Sequence, residues 1–267
     1  MTLITVAALW LRVFKWRLAL GRGCKSVGLF WLSKAAGEFS PGRVGELSPL
    51  LLRRYRNARV GAWIVIDRLL ETIVTLALGV LGVLLISTSS RIAVLLLSAA
   101  LIASLLLALH ALTRHTFFAY LARHFSSTSR WHRVFELLAA VSSEARGFRA
   151  RWMSATVLTG VAGCMDVWAG MLLYDAFSWS VSFQLMAAAK GVHAITSAIP
   201  VTPNATGVPY VTTAVLIHEA GGVPAHVLAS AIALAVAITN TVFWTSAAFA
   251  AMSLGRDPDP SVPARFE

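Results

Sequence analysis

The chain has 267 residues, of which 57% are hydrophobic and 13% charged, and its mean hydropathy is +0.72. About a quarter of the residues of a soluble globular domain are charged, so this composition excludes that class and indicates a polytopic membrane protein. The formal net charge of +11 is typical of the positive-inside bias and of attraction to anionic lipid, and no nucleic-acid partner is expected.

Residues 1–87 are predicted to form two spanning helices with two short helices between them. The short helices cover residues 26–39 and 43–52, and each falls below the roughly 20 apolar residues that cross a bilayer. Pro41 and Gly42 separate the two short helices. The second span is the long apolar run that closes this part of the chain.

The middle of the chain, residues 88–151, is predicted to hold one more span and a basic segment. The span covers residues 92–112. In the basic segment, Trp131, Phe135 and Leu138 recur on one helical face among several arginines, which favours a helix lying in the membrane surface. Simple anchoring and sensing of anionic lipid stay open as the roles of this helix.

Residues 152–254 repeat the order of span, broken segment and span. The first span contains an acidic residue, Asp166, and the broken segment of residues 182–218 is interrupted by prolines. The tail that follows, residues 255–267, is polar and rich in proline, and it is expected to be disordered.

The distribution of lysine and arginine sets the predicted orientation. The basic segments of residues 12–59 and 114–151 are expected on the cytoplasmic side, so each broken segment has to return to the side from which it enters. The expected fold is therefore an all-α polytopic membrane protein, an inverted repeat of spanning helices with two re-entrant helical hairpins. Its parts are a single transmembrane domain at residues 1–254, with repeat A at 1–87, a connection at 88–151 and repeat B at 152–254.

The tip of the first hairpin has the chemistry of an anion site. Gly42 and Gly45 begin a short helix whose free N–H groups and dipole favour an anion, and Arg43 lies in its first turn. These groups are predicted to hold the phosphate of a lipid. Glu38 and Glu46 either support Arg43 or meet an amino or sugar head group; mutual neutralisation of the three charges stays open as well.

A second charged group follows in the long span of repeat A. Asp67 and Glu71 lie one helical turn apart, and Arg68 is three positions before Glu71, so the three are predicted to form a network with Arg68 as its cation. Intramembrane ionisable residues are functional candidates because their burial is unfavourable. A structural role and direct contact with the substrate stay open.

The second hairpin carries fewer polar candidates. Lys190 on its entering arm and Asn204 near its turn are the predicted substrate contacts. Asp166 in the preceding span is a candidate ion-pair partner of Lys190.

Several common enzyme motifs are absent from the sequence. His218 and Glu219 begin a metalloprotease-like pattern, but the position that would be the second histidine is Gly222. There is no nucleophile elbow, no phosphate loop and no Cys/His cluster with metal spacing. No catalytic activity, metal or other cofactor is therefore expected.

The two charged motifs together resemble the lysylphosphatidylglycerol synthetase transmembrane-region family. That family has Pro-Gly-Arg-x-Gly-Glu followed by Glu-Arg-x-x-Asp, and in this chain the second motif has its acids exchanged, as Asp67 and Glu71. The residues that match the first motif are Pro41, Gly42, Arg43, Gly45 and Glu46. A departure occurs at Tyr210, where the family often has an acid.

The resemblance implies a flippase-like domain of the cytoplasmic membrane that moves a phospholipid or a polyprenyl-type lipid between leaflets. The chain is too short to include the aminoacyl-transfer domain of the larger relatives, so a synthetase is not expected. The expected partner is a membrane lipid with an anionic or phosphate-bearing head group; a second copy of the chain and a lipid-synthesising enzyme stay open. The alternative functions are a head-group-modifying enzyme with Glu46 or Asp67 as base, and a membrane scaffold that does not transport.

Overall fold

The computed structural model describes residues 1–21, 26–51, 57–86, 91–112, 115–125, 129–197 and 208–255, and the regular structure within these ranges is entirely helical. This confirms the predicted all-α class. The predicted disordered tail lies outside the described residues after Gly255. The α-helices are α1 (Thr2–Leu20), α2 (Ser26–Phe39), α3 (Ala58–Leu84), α4 (Arg91–Leu112), α5 (His115–Arg123), α6 (Arg130–Gly147), α7 (Trp152–Asp175), α8 (Phe183–Ser197), α9 (Val208–Gly221) and α10 (Ala225–Gly255).

The broken segment of the first half consists of α2 and a 3-10 helix, Pro41–Leu51, which pack against each other. Proline suits the first position of a helix because its φ angle is preset and its missing N–H would be unsatisfied there. The turn is tight: the Gly45 N–H donates to Ser40 Oγ over 2.6 Å. A Cβ on Gly45 would overlap the carbonyl of Ala36, so only glycine permits this approach of the two helices.

The long helix α3 begins with a side-chain cap. Asn57 has an extended backbone, and its Oδ1 accepts a hydrogen bond of 2.8 Å from the Val60 N–H. Such caps satisfy one of the free N–H groups at a helix start. The cap fixes where α3 starts and therefore the depth at which its charged residues lie.

Helix packing joins the two halves of the chain. Helix α1 packs on α7, α3 packs on α8, and α10 packs on α2, while α8 and α9 pack on each other. The contact of α3 with α8 is close because both helices have glycine at the crossing. A Cβ on Gly79 would be 2.5 Å from the Gly191 Cα, so larger residues there would separate the helices.

Two apolar cores stabilise this arrangement. The first lies between α1, α2 and α3 and is built on aromatic side chains, with the Trp16 and Phe30 rings 5.7 Å apart and the Trp63 and Phe148 rings 5.3 Å apart. The second lies between α7, α8, α9 and α10 around residues such as Leu185. The charged residues described below are enclosed beside the first core.

Within the described residues, two helical stretches are long and apolar enough to cross a membrane, Arg149–Asp175 and Ala225–Ala248. Helices α1, α3 and α4 were also expected to span; α1 and α3 carry several charged residues each, and the apolar stretch of α4 is the shorter Ala99–His110. Their spanning role stays a prediction.

Candidate functional site

Charged side chains from five helical elements meet in one cluster enclosed by α1, α2, the 3-10 helix, α3 and α7. We call it the buried charge cluster. Among the described residues, four cations face four carboxylates within it. Its members are Arg12, Lys15, Lys34, Arg68, Glu46, Asp67, Glu71 and Asp166.

The centre of the cluster is the ion pair of Lys15 and Asp67. Their side chains are each 1% exposed, and Lys15 Nζ lies 2.6 Å from Asp67 Oδ1. Lys15 also donates to Thr159 Oγ1 over 2.9 Å, and Trp16 Nε1 donates to Asp67 Oδ2 over 3.0 Å. Hydrogen bonds beyond the ion pair reduce the cost of burying it, and each partner has one such bond, Lys15 to Thr159 and Asp67 from Trp16.

Lys34 links the first hairpin to α3. Its Nζ lies 2.8 Å from Glu71 Oε2, 3.4 Å from Asp67 Oδ2 and 3.9 Å from Glu46 Oε2. A single ammonium group therefore serves three carboxylates from two elements. The hairpin is held against α3 by charge as well as by apolar packing.

Arg12 links the two halves of the chain. Its Nη2 lies 2.6 Å from Asp166 Oδ2 on α7, and its Nε lies 3.5 Å from Glu71 Oε1 on α3. The side chains of Arg12 and Asp166 are 18% and 26% exposed, so this end of the cluster is more open than its centre.

The predicted network of Asp67, Arg68 and Glu71 is part of this larger cluster, but its cations come from elsewhere. Asp67 and Glu71 take theirs from α1 and α2, whereas Arg68, 35% exposed, lies 3.8 Å from Glu46 Oε1. An ion pair of Arg68 with Glu71 is not among the contacts of the described residues. Neighbouring positions on a helix face different directions, so Arg68 diverges from Asp67.

Asp166, the predicted partner of Lys190, makes its close ion pair with Arg12 instead. Lys190 is half-buried on α8 and lies near enough to interact electrostatically with Asp166. Sequence reasoning missed Arg12, Lys15 and Lys34 as members of the site. The signal in the sequence is a cation inside an apolar helix, a pattern that the positive-inside bias also explains.

The first hairpin tip is described in part. The side chains of Glu38 and Arg43 lie outside the described structure, while Glu46 is 5% exposed and contacts Lys34 and Arg68. The N–H of Gly45, expected to be free for an anion, is already bonded to Ser40. Gly42 lies in the first turn of the 3-10 helix, and Asn204 lies outside the described residues.

Metal ligation has no candidate in the part of the chain that the structure describes, since no group of three His, Cys, Asp or Glu side chains is arranged to hold an ion. What the cluster permits is an exchange of ion-pair partners. Glu71 has three cations within 3.6 Å, so one of them can exchange partners without leaving a buried carboxylate unpaired.

No curated protein and no solved structure is significantly similar to the chain. The family described as the lysylphosphatidylglycerol synthase TM region matches residues 1–248, nearly the whole chain. The match contains both motifs that carried the resemblance and every described member of the buried charge cluster. The chain therefore belongs to the lysylphosphatidylglycerol synthase transmembrane region family.

Proposed function

We propose that the chain moves a lipid with a polar, phosphate-bearing head group between the leaflets of the cytoplasmic membrane. The family is a membrane region associated with the modification or flipping of lipid head groups. The observation that carries the proposal is the buried charge cluster, which joins α1, α2 and α3 to α7 of the other half. Charges in such a place are expensive to bury and mark pathways for polar solutes.

We also infer the inverted repeat with two re-entrant hairpins. The packing pattern supports it because exchanging the halves leaves the pattern unchanged. If α1, α2 and α3 are exchanged with α7, α8 and α10, the contact of α1 with α7 maps onto itself, and the contact of α2 with α10 maps onto that of α8 with α3. Each half also has its own packed pair of short helices, α2 with the 3-10 helix and α8 with α9. Paired units with short interrupted helices are typical of transporters whose site lies at the repeat interface.

The head group would move along the polar interior while its tails stay in the bilayer. Lys190 adds one positive charge within electrostatic range of Asp166, at the more open end of the cluster. A phosphate can pair with Lys190 without removing a cation from the carboxylates of the cluster centre. The exchangeable pairs around Glu71 permit the helices to shift while every buried carboxylate keeps a partner.

An enzymatic role receives less support. Asp67, one of the two candidate bases, is 1% exposed and lies within 3.4 Å of two lysine ammonium groups. A carboxylate that is paired twice and sealed from solvent is a poor proton acceptor for a substrate. We therefore propose transport without chemical change of the lipid.

The test is a leaflet-specific assay on proteoliposomes that contain a fluorescent phosphatidylglycerol and no cosubstrate. A membrane-impermeant reductant quenches the outer leaflet, and the rate at which protected lipid becomes accessible reports translocation. We expect faster loss than in protein-free vesicles and an unchanged lipid mass afterwards. A rate equal to that of protein-free vesicles contradicts transport, and a changed lipid mass indicates the enzyme instead.

A further inference from the structure

A small cavity lies between α1, α3 and the start of α7. Its volume is about 100 Å³, and its polar lining comes from Lys15, Trp63, Arg151 and Ser154. A water molecule takes up about 30 Å³ of the liquid, so the cavity has room for a phosphate-sized group.

One residue of the cavity lining, Trp63, has a buried donor without a hydrogen-bond partner among the described residues. Trp63 is 0% exposed, and its indole Nε1 has no hydrogen-bond partner among the described residues. The ring packs against Phe148 at 5.3 Å between centroids, which holds the indole in place. A buried unsatisfied N–H is unfavourable by more than a typical hydrogen bond is worth, so an acceptor in the cavity would be stabilised.

The charges around the cavity favour an anion. Arg151 donates through Nη1 to the Ala19 carbonyl over 2.6 Å, which covers the negative end of α1 and leaves further guanidinium N–H groups for a ligand. Ser154 lies in the first turn of α7, where the helix dipole is positive. The ammonium of Lys15 is already engaged by Asp67 and Thr159, so Arg151 supplies the charge.

We propose that this cavity binds a phosphate or phosphodiester anion through residues that are not assigned to the transported head group. Arg151 pairs with the anion, and Trp63 Nε1 and Ser154 Oγ donate hydrogen bonds to its oxygens. The anion comes either from a phospholipid at the membrane surface or from free phosphate, and both present the same tetrahedral oxygens to the site.

The test measures binding, with no transport step, by titration calorimetry of the full chain in neutral detergent. The probes are dihexanoyl phosphatidylglycerol, inorganic phosphate and, as a control without phosphate, dihexanoylglycerol. We expect binding of at least one phosphate-bearing probe and none of dihexanoylglycerol. Binding of the lipid alone assigns the anion to the membrane, and binding of inorganic phosphate assigns it to the free ion as well.

Three variants locate the binding. Arg151→Gln and Trp63→Phe each remove a donor and keep much of the side-chain bulk, and each is expected to weaken binding about tenfold. Ser154→Ala, at an exposed position, gives a weaker loss in a variant whose folding is not at risk. Arg149→Gln is the matched control, because Arg149 is exposed and does not line the cavity, and it should bind as the wild type does.

Equal affinity in the wild type, Arg151→Gln and Ser154→Ala would overturn the proposal and assign the cavity to water. The same conclusion follows if no phosphate-bearing probe binds. The calorimetry measures binding in detergent, so a negative result in it is distinct from a negative result in the lipid translocation assay.

Discussion

Arg12 and Asp166 are 154 positions apart in the chain, and the guanidinium of one donates to the carboxylate of the other over 2.6 Å. This bond joins the first helix of each half. Arg12 also reaches Glu71 at 3.5 Å, so the same side chain connects the half-to-half contact with the centre of the buried charge cluster.

Asp166→Asn should destabilise the fold by about 2 kcal/mol, less than the loss for a fully buried pair, because Arg12 keeps Glu71 as a partner. The double variant Arg12→Gln with Asp166→Asn removes both charges and should be more stable than the sum of the two single changes predicts. Thermal unfolding in detergent of the wild type and the three variants gives the coupling energy. Strict additivity would show that the two side chains act independently.

Lys15 and Arg68 should differ sharply in their effect on stability. Lys15→Met leaves Asp67 sealed with one cation fewer, which we expect to cost about 3–5 kcal/mol and to lower the amount of folded protein. Arg68→Ala removes a half-exposed side chain with a 3.8 Å contact to Glu46, and its effect should stay below about 1 kcal/mol. Folded yield and unfolding temperature measure both. A greater loss for Arg68→Ala than for Lys15→Met would contradict the assignment of Lys15 as the central cation.

The division of roles between these two cations was not predictable from the sequence. The pattern of Asp67, Arg68 and Glu71 predicts a local network, but the real partners come from α1 and α2, and their approach depends on how three helices pack. The bounds of the short helices were easier to predict than the ion pairs. The interruption at Pro41 and the bounds of α2 follow from proline chemistry and segment length. Charges inside apolar helices indicate burial, yet their pairing is a property of the tertiary fold.

Two glycines provide a matched pair of substitutions. Gly45→Ala places a methyl group on the Ala36 carbonyl, so the first hairpin has to open, and we expect a loss of about 1–3 kcal/mol. Gly160→Ala on α7 meets open space and should stabilise the helix by about 0.5–1 kcal/mol. Unfolding temperatures of the two variants test the contrast. Gly45→Ala at wild-type stability would mean that the hairpin is looser than described.

The inverted repeat predicts that the two hairpin tips are reached from opposite sides of the membrane. Single cysteines at Ser40 and Thr206 are to be introduced after replacing Cys24 and Cys164 by serine. Each should react with a small membrane-impermeant thiol reagent from one side only, and the sides should differ. Labelling of both positions from the same side would refute the inverted arrangement.

The central claim is that a phosphate-bearing head group passes the polar interior, and Lys190 tests it most directly. Lys190→Gln removes the positive charge that acts electrostatically on Asp166, and Lys190→Arg keeps it. Translocation of fluorescent phosphatidylglycerol, per molecule of folded protein in proteoliposomes, should fall about tenfold in Lys190→Gln, as expected for the loss of one charge-assisted contact. Lys190→Arg should retain most of the wild-type rate. Equal rates for Lys190→Gln and the wild type, or a wild-type rate no faster than that of protein-free vesicles, would contradict the account.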